Sequence, residues 1–465
     1  MESAAAMAEL PRLMVAGLSG ESGKTLVTLA LLLEARRREI PARAFKKGPD
    51  YIDAAWLEWA SGNPARNLDS YLMGFGRARD SFALQAAGGF NVIEGNRGLF
   101  DGMDARGTHS TAALAKALEA PVVLVLNATK MTGTAAALVL GCQKLDPAVR
   151  IAGVVLNQVS GPRHERVLRE AIESACGVPV LGAIPRLKNG VLLPSRHLGL
   201  VTPYEYDCRM LAEQLQESVG SHLDFDKLLA IAGLAPPIAM PAVPLPGPAA
   251  GHGLRIGVLQ DSAFCFYYPD NLDALRATGA ALVPLSSLES AALPADMDAL
   301  YIGGGFPETH AASLSGNRSL LASVRGAARN GLAIYAECGG LMYLSRALRW
   351  RGNRYPMAGV LPFEVEVNEV PEGHGYVELL VDRANAFFAP GTRLRGHEFH
   401  YSKIVGASEE LATACTVLRG TGCGDKRDAV VLGNVWAAYT HLHAAATPEW
   451  AEAMVRAAQA AAIPA

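Results

Sequence analysis

Residues 12–37 read RLMVAGLSGESGKTLVTLALLLEARR, and this stretch decides the architecture of the first half of the chain. It opens with a short apolar run that stops at Gly17. It then passes through a loop rich in glycine and serine and ends in a long leucine- and alanine-rich segment. The pattern is strand, loop, helix. Gly-rich backbone at a helix N-terminus presents N–H groups to an anion, and the helix dipole favours negative charge there. Within GLSGESGKT, residues 17–25, the segment Gly20, Ser22 and Gly23 forms a nucleotide cradle. Lys24 reaches the outer phosphates of ATP, and the Thr25 hydroxyl joins a Mg²⁺ shell. The leading glycine of GxxxxGKT belongs at position 18, where Leu18 stands, so Gly17 makes the loop a longer variant. Leu18, Ser19 and Gly20 also leave no early lysine of the kind found in chromosome- and septum-positioning ATPases.

Outward from this loop, short β-branched runs alternate with amphipathic ones. ARAF, FNVIEG, APVVLVLNA, RIAGVVLNQ and VPVLGAIP read as buried strands, and STAALAKALEA reads as a helix. Strands apolar on both faces, alternating with helices, imply a parallel sheet covered on each side. Ligands of such a sheet sit beyond the strands' carboxyl ends. Two segments fall there: AFKKGPDYIDAAW, carrying Lys46, Asp50 and Asp53, and NVIEGNRGLFDG, carrying Glu94 and Asp101. Hard Mg²⁺ takes a few oxygen ligands alongside phosphate oxygens, which makes Asp50 and Glu94 the metal candidates.

Residues 236–253 are rich in Pro, Gly and Ala without an apolar period and read as a linker. The expected organisation is an ATP-binding domain over 10–235 and a second domain over 254–448. The second half restarts with strand-like LRIGVLQD, AALVPL, DALYIGGG and GLAIYAECGG. Cys338 directly follows an apolar strand and precedes a helix-like run, a turn that exposes a nucleophile and whose helix N-terminus lowers a thiol pKa. The loop Gly303-Gly304-Gly305 offers amides to an oxyanion, with Gly304 and Gly305 as the donors. His441 and His443 in AAYTHLHAA are both available as the base. His397 and His400 in RGHEFHYS lack a third metal ligand and read as structural or substrate-facing groups.

Composition narrows the class. With 42 basic against 45 acidic residues and no like-charge block, nothing favours nucleic acid or a membrane surface. The longest apolar runs fall short of the ~20 residues a membrane helix takes. The N-terminal segment has no basic region and no long apolar region, so no signal peptide is read. Seven dispersed cysteines fit free thiols in a reducing compartment, the cytoplasm.

These residues resemble a known family, the cobyrinic acid a,c-diamide synthases. The matching segments are GLSGESGKT, FKKGPDYID, NPARNLDSYLMG, IEGNRGLFDG, SRHLGLV, GGGFPE, YAECGGLMYL, GHEFHYS and THLH, in family order along nearly the whole chain. The resemblance implies an α/β protein of two domains, each a mostly parallel sheet with helices on both faces. The first is similar to dethiobiotin synthetase and the second is a flavodoxin-like class I glutamine amidotransferase. It implies Mg²⁺ at Thr25, Asp50 and Glu94, with Asp53 and Asp101 facing substrate. Cys338 is then the glutaminase nucleophile and His441 its activator. Many amidotransferases carry a glutamate two residues after that histidine, where this chain has His443, so a Cys-His dyad is the expectation. Glutamine and a tetrapyrrole polycarboxylate are the implied substrates, and a homodimer is compatible with the sequence. GPDYID points away from cobyric acid synthases. Lys47 and Asn96-Arg97 replace residues commonly apolar in the family, which keeps sirohaem and nickel-sirohydrochlorin as alternatives to cobyrinate. A P-loop switch fused to a degenerate amidotransferase, or a corrinoid-binding module, are the rival classes.

Overall fold

The computed structural model describes residues 6–187, 193, 195–196, 199–206, 208, 210–242, 250–407 and 411–461. His197 and Leu198 of SRHLGLV, and residues 243–249 of the expected linker, lie outside them. The chain forms two compact units, Met1–Val243 and Pro244–Ala465.

In the first unit seven parallel strands line up in the order Arg66–Leu68, Ala42–Lys47, Phe90–Glu94, Arg12–Gly17, Val122–Asn127, Ile151–Val159, Val180–Pro185. The central strand RLMVAG is buried along its whole length, as the apolar run requires of a strand covered on both faces. The chain builds outward to one side of it and then to the other. The crevice therefore opens above Gly17, between the ends of Phe90–Glu94 and Val122–Asn127. At the opposite edge Arg12 is fully buried, because its guanidinium donates to the carbonyls of Leu118 (2.6 Å), Leu10 (3.0 Å) and Pro236 (2.8 Å). Burial lowers its pKa to about 10. This anchor, and the antiparallel pairing of Met7–Ala8 with Ile238–Ala239 in a two-stranded sheet of their own, fasten the first residues of the expected linker onto the first unit.

The second unit carries a ten-stranded sheet. Its first five strands, Ala281–Leu285, Arg255–Leu259, Ala299–Ile302, Ala333–Glu337 and Val435–Ala438, are parallel, as the sequence implies. Beyond them the sheet differs from the expected mostly parallel form. Arg427–Leu432, Thr413–Arg419, Gly373–Val381, Arg393–His400 and His441–Leu442 continue it antiparallel. Only Tyr439 and Thr440 separate Val435–Ala438 from the far edge strand His441–Leu442. Two residues span at most about 10 Å, whereas five flat strand spacings would need about 24 Å. The antiparallel strands must therefore curl until the edge returns beside the sheet's middle, and that return carries His441. The helix Trp450–Ala461, beyond the expected boundary at 448, seals this unit: Trp450 is fully buried, with its ring 5.3 Å from that of Tyr301 and 5.6 Å from that of Tyr335.

Candidate functional site

Two sites emerge, one in each unit. In the first, the loop after Gly17 feeds the helix Lys24–Arg37 through Gly23. Gly23 holds φ at 98°, and a Cβ there would lie 2.3 Å from Asn157 Nδ2, so only glycine fits. Asn157 donates to the Ser22 carbonyl (3.0 Å) and clamps the loop from Ile151–Val159, two strands along the sheet. Its sequence context, VLNQ, reads only as a strand end, so this residue escapes sequence reasoning. Ser22 is buried and donates to the Ser19 carbonyl (2.9 Å), while Gly20 stands at the open tip of the loop. Lys24 Nζ folds back onto the same Ser19 carbonyl (2.9 Å). Burial and the nearby Lys46 lower its pKa.

Beside the loop, Lys46 Nζ lies 2.5 Å from Asp53 Oδ2 and 2.6 Å from Glu94 Oε1. The Thr25 hydroxyl donates to the same Glu94 oxygen (3.0 Å). Burial works against the charge of Lys46, but Asp53, Glu94 and Asp50 outweigh it and raise its pKa. Burial pushes the Glu94 carboxyl up, against the pull of Lys46. Asp50 caps the helix Tyr51–Ser61 by accepting from the Asp53 amide (2.9 Å), and burial together with Asp53 raises its pKa to about 6. The structure thus gathers Lys24, Thr25, Lys46, Asp50, Asp53 and Glu94. Asp101 stands apart from the Lys46 pairs: it is exposed and accepts from the Gly98 amide (2.8 Å), on a loop pinned by the Leu99 amide to the Gly17 carbonyl (2.7 Å).

Thr25 Oγ1 and Glu94 form an all-oxygen donor pair of the kind a hard divalent cation takes. Glu94 Oε2 is buried with no hydrogen-bond partner among the described residues, which leaves an acceptor for such an ion. Among those residues no group of three His, Cys, Asp or Glu side chains is arranged to hold a metal by itself. Lys46 holds the place between Asp53 and Glu94, so any cation site here also draws on phosphate oxygens.

In the second unit Cys338 sits at the turn between Ala333–Glu337 and the helix Gly339–Leu344, with φ 46° and ψ −96°. This is a strained conformation for a non-glycine residue, of the kind found where function fixes a side chain's direction. Its amide donates to the Ala438 carbonyl (2.7 Å), three residues before His441. The Gly303–Gly305 loop borders both the thiol turn and the imidazole. A Cβ on Gly304 would lie 2.6 Å from His441 Cε1, and one on Gly339 would lie 3.1 Å from the Gly305 amide nitrogen. The Gly305 amide therefore packs against Gly339, the residue that follows the thiol. The Gly303 amide is already committed to the Tyr267 hydroxyl (2.8 Å). Gly339 was absent from the expected donor pair; its position directly after the nucleophile was the available signal.

The thiol itself departs from expectation. Burial raises the Cys338 pKa far above the ordinary cysteine value, and Glu308 adds to the effect. The helix behind it has only six residues, and the Gly339 amide, which favours the thiolate, does not offset the loss of water. Burial thus favours the neutral thiol over the thiolate, which calls for a base to take its proton.

His441 is fixed on several sides. Asp428, fully buried, accepts from the amides of Tyr439 (3.1 Å) and Thr440 (3.2 Å) and from the Thr440 hydroxyl (2.6 Å). Asn271 bonds the Leu442 carbonyl (2.8 Å) and the Ala444 amide (2.6 Å). His397 stacks on His441 at 5.0 Å, and burial holds its pKa far below the usual histidine range. His443 lies elsewhere: its Nδ1 accepts from the Ala445 amide (3.1 Å) and its Nε2 faces Asp270 at 3.8 Å. His400 bonds the Ser402 carbonyl (2.8 Å) and stacks on Tyr439, a structural placement.

Comparison with known proteins finds one family match in each unit. Residues 13–201 match the CobQ/CobB/MinD/ParA nucleotide binding domain, and residues 255–449 match the CobB/CobQ-like glutamine amidotransferase domain. A cobyrinate a,c-diamide synthase of Magnetococcus marinus is 42% identical over 96% of this chain and 97% of its own. One of Dehalococcoides mccartyi is 39% identical over 96% and 98%, and one of Salmonella typhimurium 37% over 96% and 98%. Such identity over almost the full length of both chains settles the relationship: this protein belongs to the cobyrinate a,c-diamide synthase family.

Proposed function

We propose that the chain converts the a and c acetate carboxylates of cobyrinate into carboxamides, using ATP and glutamine. The observation that supports this reading is the presence, in one chain of this family, of a glycine-rich loop beside the Thr25, Lys46, Asp53 and Glu94 contacts and of a buried thiol turn and an imidazole that both border the Gly303–Gly305 loop. Cys338 gives its proton to His441, and the sulfur attacks the glutamine amide carbon. The proton returns to nitrogen as ammonia leaves. Water then hydrolyses the thioester to glutamate. Amides of Gly305 and Gly339 stand where the tetrahedral oxyanion develops, with Gly304 shaping the wall beside His441.

In the first unit Gly20, Ser22, Gly23, Lys24 and Lys46 bind the triphosphate. Thr25, Asp50 and Glu94 would hold Mg²⁺, which neutralises phosphate charge when bound. Transfer of the γ-phosphoryl group to a substrate carboxylate gives an acyl phosphate, and ammonia displaces phosphate from it. Asp53 and Asp101 face the acceptor side. The seven free thiols and the lack, among the described residues, of any helix able to cross a membrane suit a cytoplasmic enzyme. A homodimer remains compatible with this scheme.

Lys47 is buried at the crevice, and Asn96 Nδ2 lies 3.3 Å from where a Gly48 Cβ would sit. These polar groups favour sirohaem or nickel-sirohydrochlorin as the second reading of the substrate. Incubation with ATP, glutamine and each macrocycle, followed by mass spectrometry, tests the choice. Cobyrinate losing about one dalton in each of two steps is expected. No mass change with any macrocycle, in an enzyme that hydrolyses glutamine, overturns the proposal.

A further inference from the structure

The expected dyad has a candidate third member at a position no class I pattern supplies. Glu337 immediately precedes the nucleophile, and its carboxylate is fully buried. In a regular strand residues 337 and 338 would point to opposite faces. The left-handed turn at Cys338 breaks that alternation. Glu337 Oε2 lies 3.5 Å from His441 Nδ1, and its Oε1 accepts from the Leu442 amide (3.1 Å) and the Tyr335 hydroxyl (3.2 Å). Tyr301 donates to Oε2 at 3.4 Å.

We propose that Glu337 is the positioning carboxylate of the thiol site, holding His441 as the Nδ1–H tautomer so that Nε2 is free to take the Cys338 proton. A buried carboxylate costs several kcal/mol unless compensated, so a chain that keeps one needs a use for it. Holding the backbone uses only Oε1, which takes the Leu442 amide, while Asp428 grips residues 439–440 and Asn271 the Leu442 carbonyl and the Ala444 amide; Oε2 is the oxygen that faces the imidazole. Histidine pairs of this kind are long in the resting protein and shorten when the imidazolium forms. The other titratable groups near the site are engaged differently. His397 is a stacked ring whose pKa burial lowers, His443 faces Asp270, Glu308 and Glu398 act electrostatically on the sulfur, and Glu398 is held by the Thr421 and Gly422 amides.

This inference rests on reading Cys338 and His441 as the glutaminase pair, and the test separates the two. Cys338→Ala should abolish glutamine hydrolysis; if it does not, the pair itself is wrong and the inference falls with it. Glu337→Gln presents an amide N–H to Nδ1, which moves the imidazole proton to Nε2, against the thiol. Its glutaminase kcat is expected to fall about 100-fold or more with KM for glutamine within about threefold. Its rate should keep climbing with pH where the wild type levels off, since the thiol must lose its proton to solvent. A folded Glu337→Gln protein within threefold of wild type in kcat, or with an unchanged pH profile, overturns the role while leaving the pair intact. Should that variant not fold, ¹⁵N-histidine NMR of the Cys338→Ala protein decides alone. A proton on Nδ1 of His441 supports the proposal, and one on Nε2 refutes it.

Discussion

In the first unit five ionisable side chains, Lys24, Lys46, Asp50, Asp53 and Glu94, crowd one crevice and neutralise one another through Lys46. In the second, Cys338 and His397 are kept uncharged by burial, and Glu337 approaches His441 across 3.5 Å. The first arrangement is a set of charges already paired before any ligand arrives. A triphosphate has to draw Lys24 off the Ser19 carbonyl and compete for Lys46. The second holds its buried carboxylates, Glu337 and Asp428, in hydrogen bonds, and burial disfavours charge on the sulfur until a base takes its proton. A site that handles highly charged ligands keeps its own charges, whereas one that must not leak a reactive thiolate suppresses them.

If the two regions divide the work in this way, the sharpest break comes from removing one element of each. Lys24→Ala should lower amidation by at least about 1,000-fold with either glutamine or ammonia as nitrogen source, since phosphoryl charge stabilisation serves both. Cys338→Ala should lose the glutamine-driven reaction to background yet retain turnover in high ammonium at alkaline pH. Parallel assays with the two nitrogen sources read this directly, and loss of both in folded Cys338→Ala would erase the division. The next effect is steric. Gly304→Ala places a Cβ 2.6 Å from His441 Cε1, on a buried ring that also stacks on His397. Glutaminase kcat should fall about 100-fold, because a displaced catalytic group costs orders of magnitude.

What the sequence made legible follows the same contrast. The paired-charge crevice lies at the ends of short apolar strands, so Lys46, Asp50 and Glu94 were visible from strand punctuation. Asn157 was not, because an asparagine at a strand end reads as a turn. In the second unit the parallel strands were apolar and clear. The antiparallel ones were not: Gly373–Val381 alternates between buried and half-exposed residues and includes glycines, a weak signal. Without that half, nothing indicates that the sheet curls back to deliver His441. Glu337 went unread because residues i and i+1 of a strand should diverge, and the turn at Cys338 that makes them converge exists only in three dimensions.

Lys46 offers a stability test of the charge-pairing idea. Lys46→Met leaves the buried Glu94 and the half-buried Asp53 without their cation, and breaking a buried pair by removing one partner costs about 3–5 kcal/mol. Urea unfolding should show that loss, and adding Glu94→Gln to the same chain should recover part of it. No change on Lys46→Met would mean that the crevice is more hydrated than its burial indicates.

The smallest effect runs in the opposite direction. Asp50 titrates at about 6 in the folded chain against an ordinary value of 3.8. A group with a raised folded pKa contributes stability that is complete below its unfolded pKa and is lost as pH rises through the folded one. At neutral pH the ionised Asp50 therefore opposes folding of the ligand-free protein. Asp50→Asn keeps a good helix cap for Tyr51–Ser61 but removes that charge. Its Tm should exceed that of the wild type by about 2–6 °C above pH 6.5, and the difference should vanish near pH 4. The same substitution should weaken ATP-dependent amidation, since a carboxylate that harms the empty site is retained for what it does when phosphate and cation are present. A variant with equal Tm at both pH values would show that Asp50 is held no differently from a solvated cap, and the contrast between the two sites would then rest on Lys46 alone.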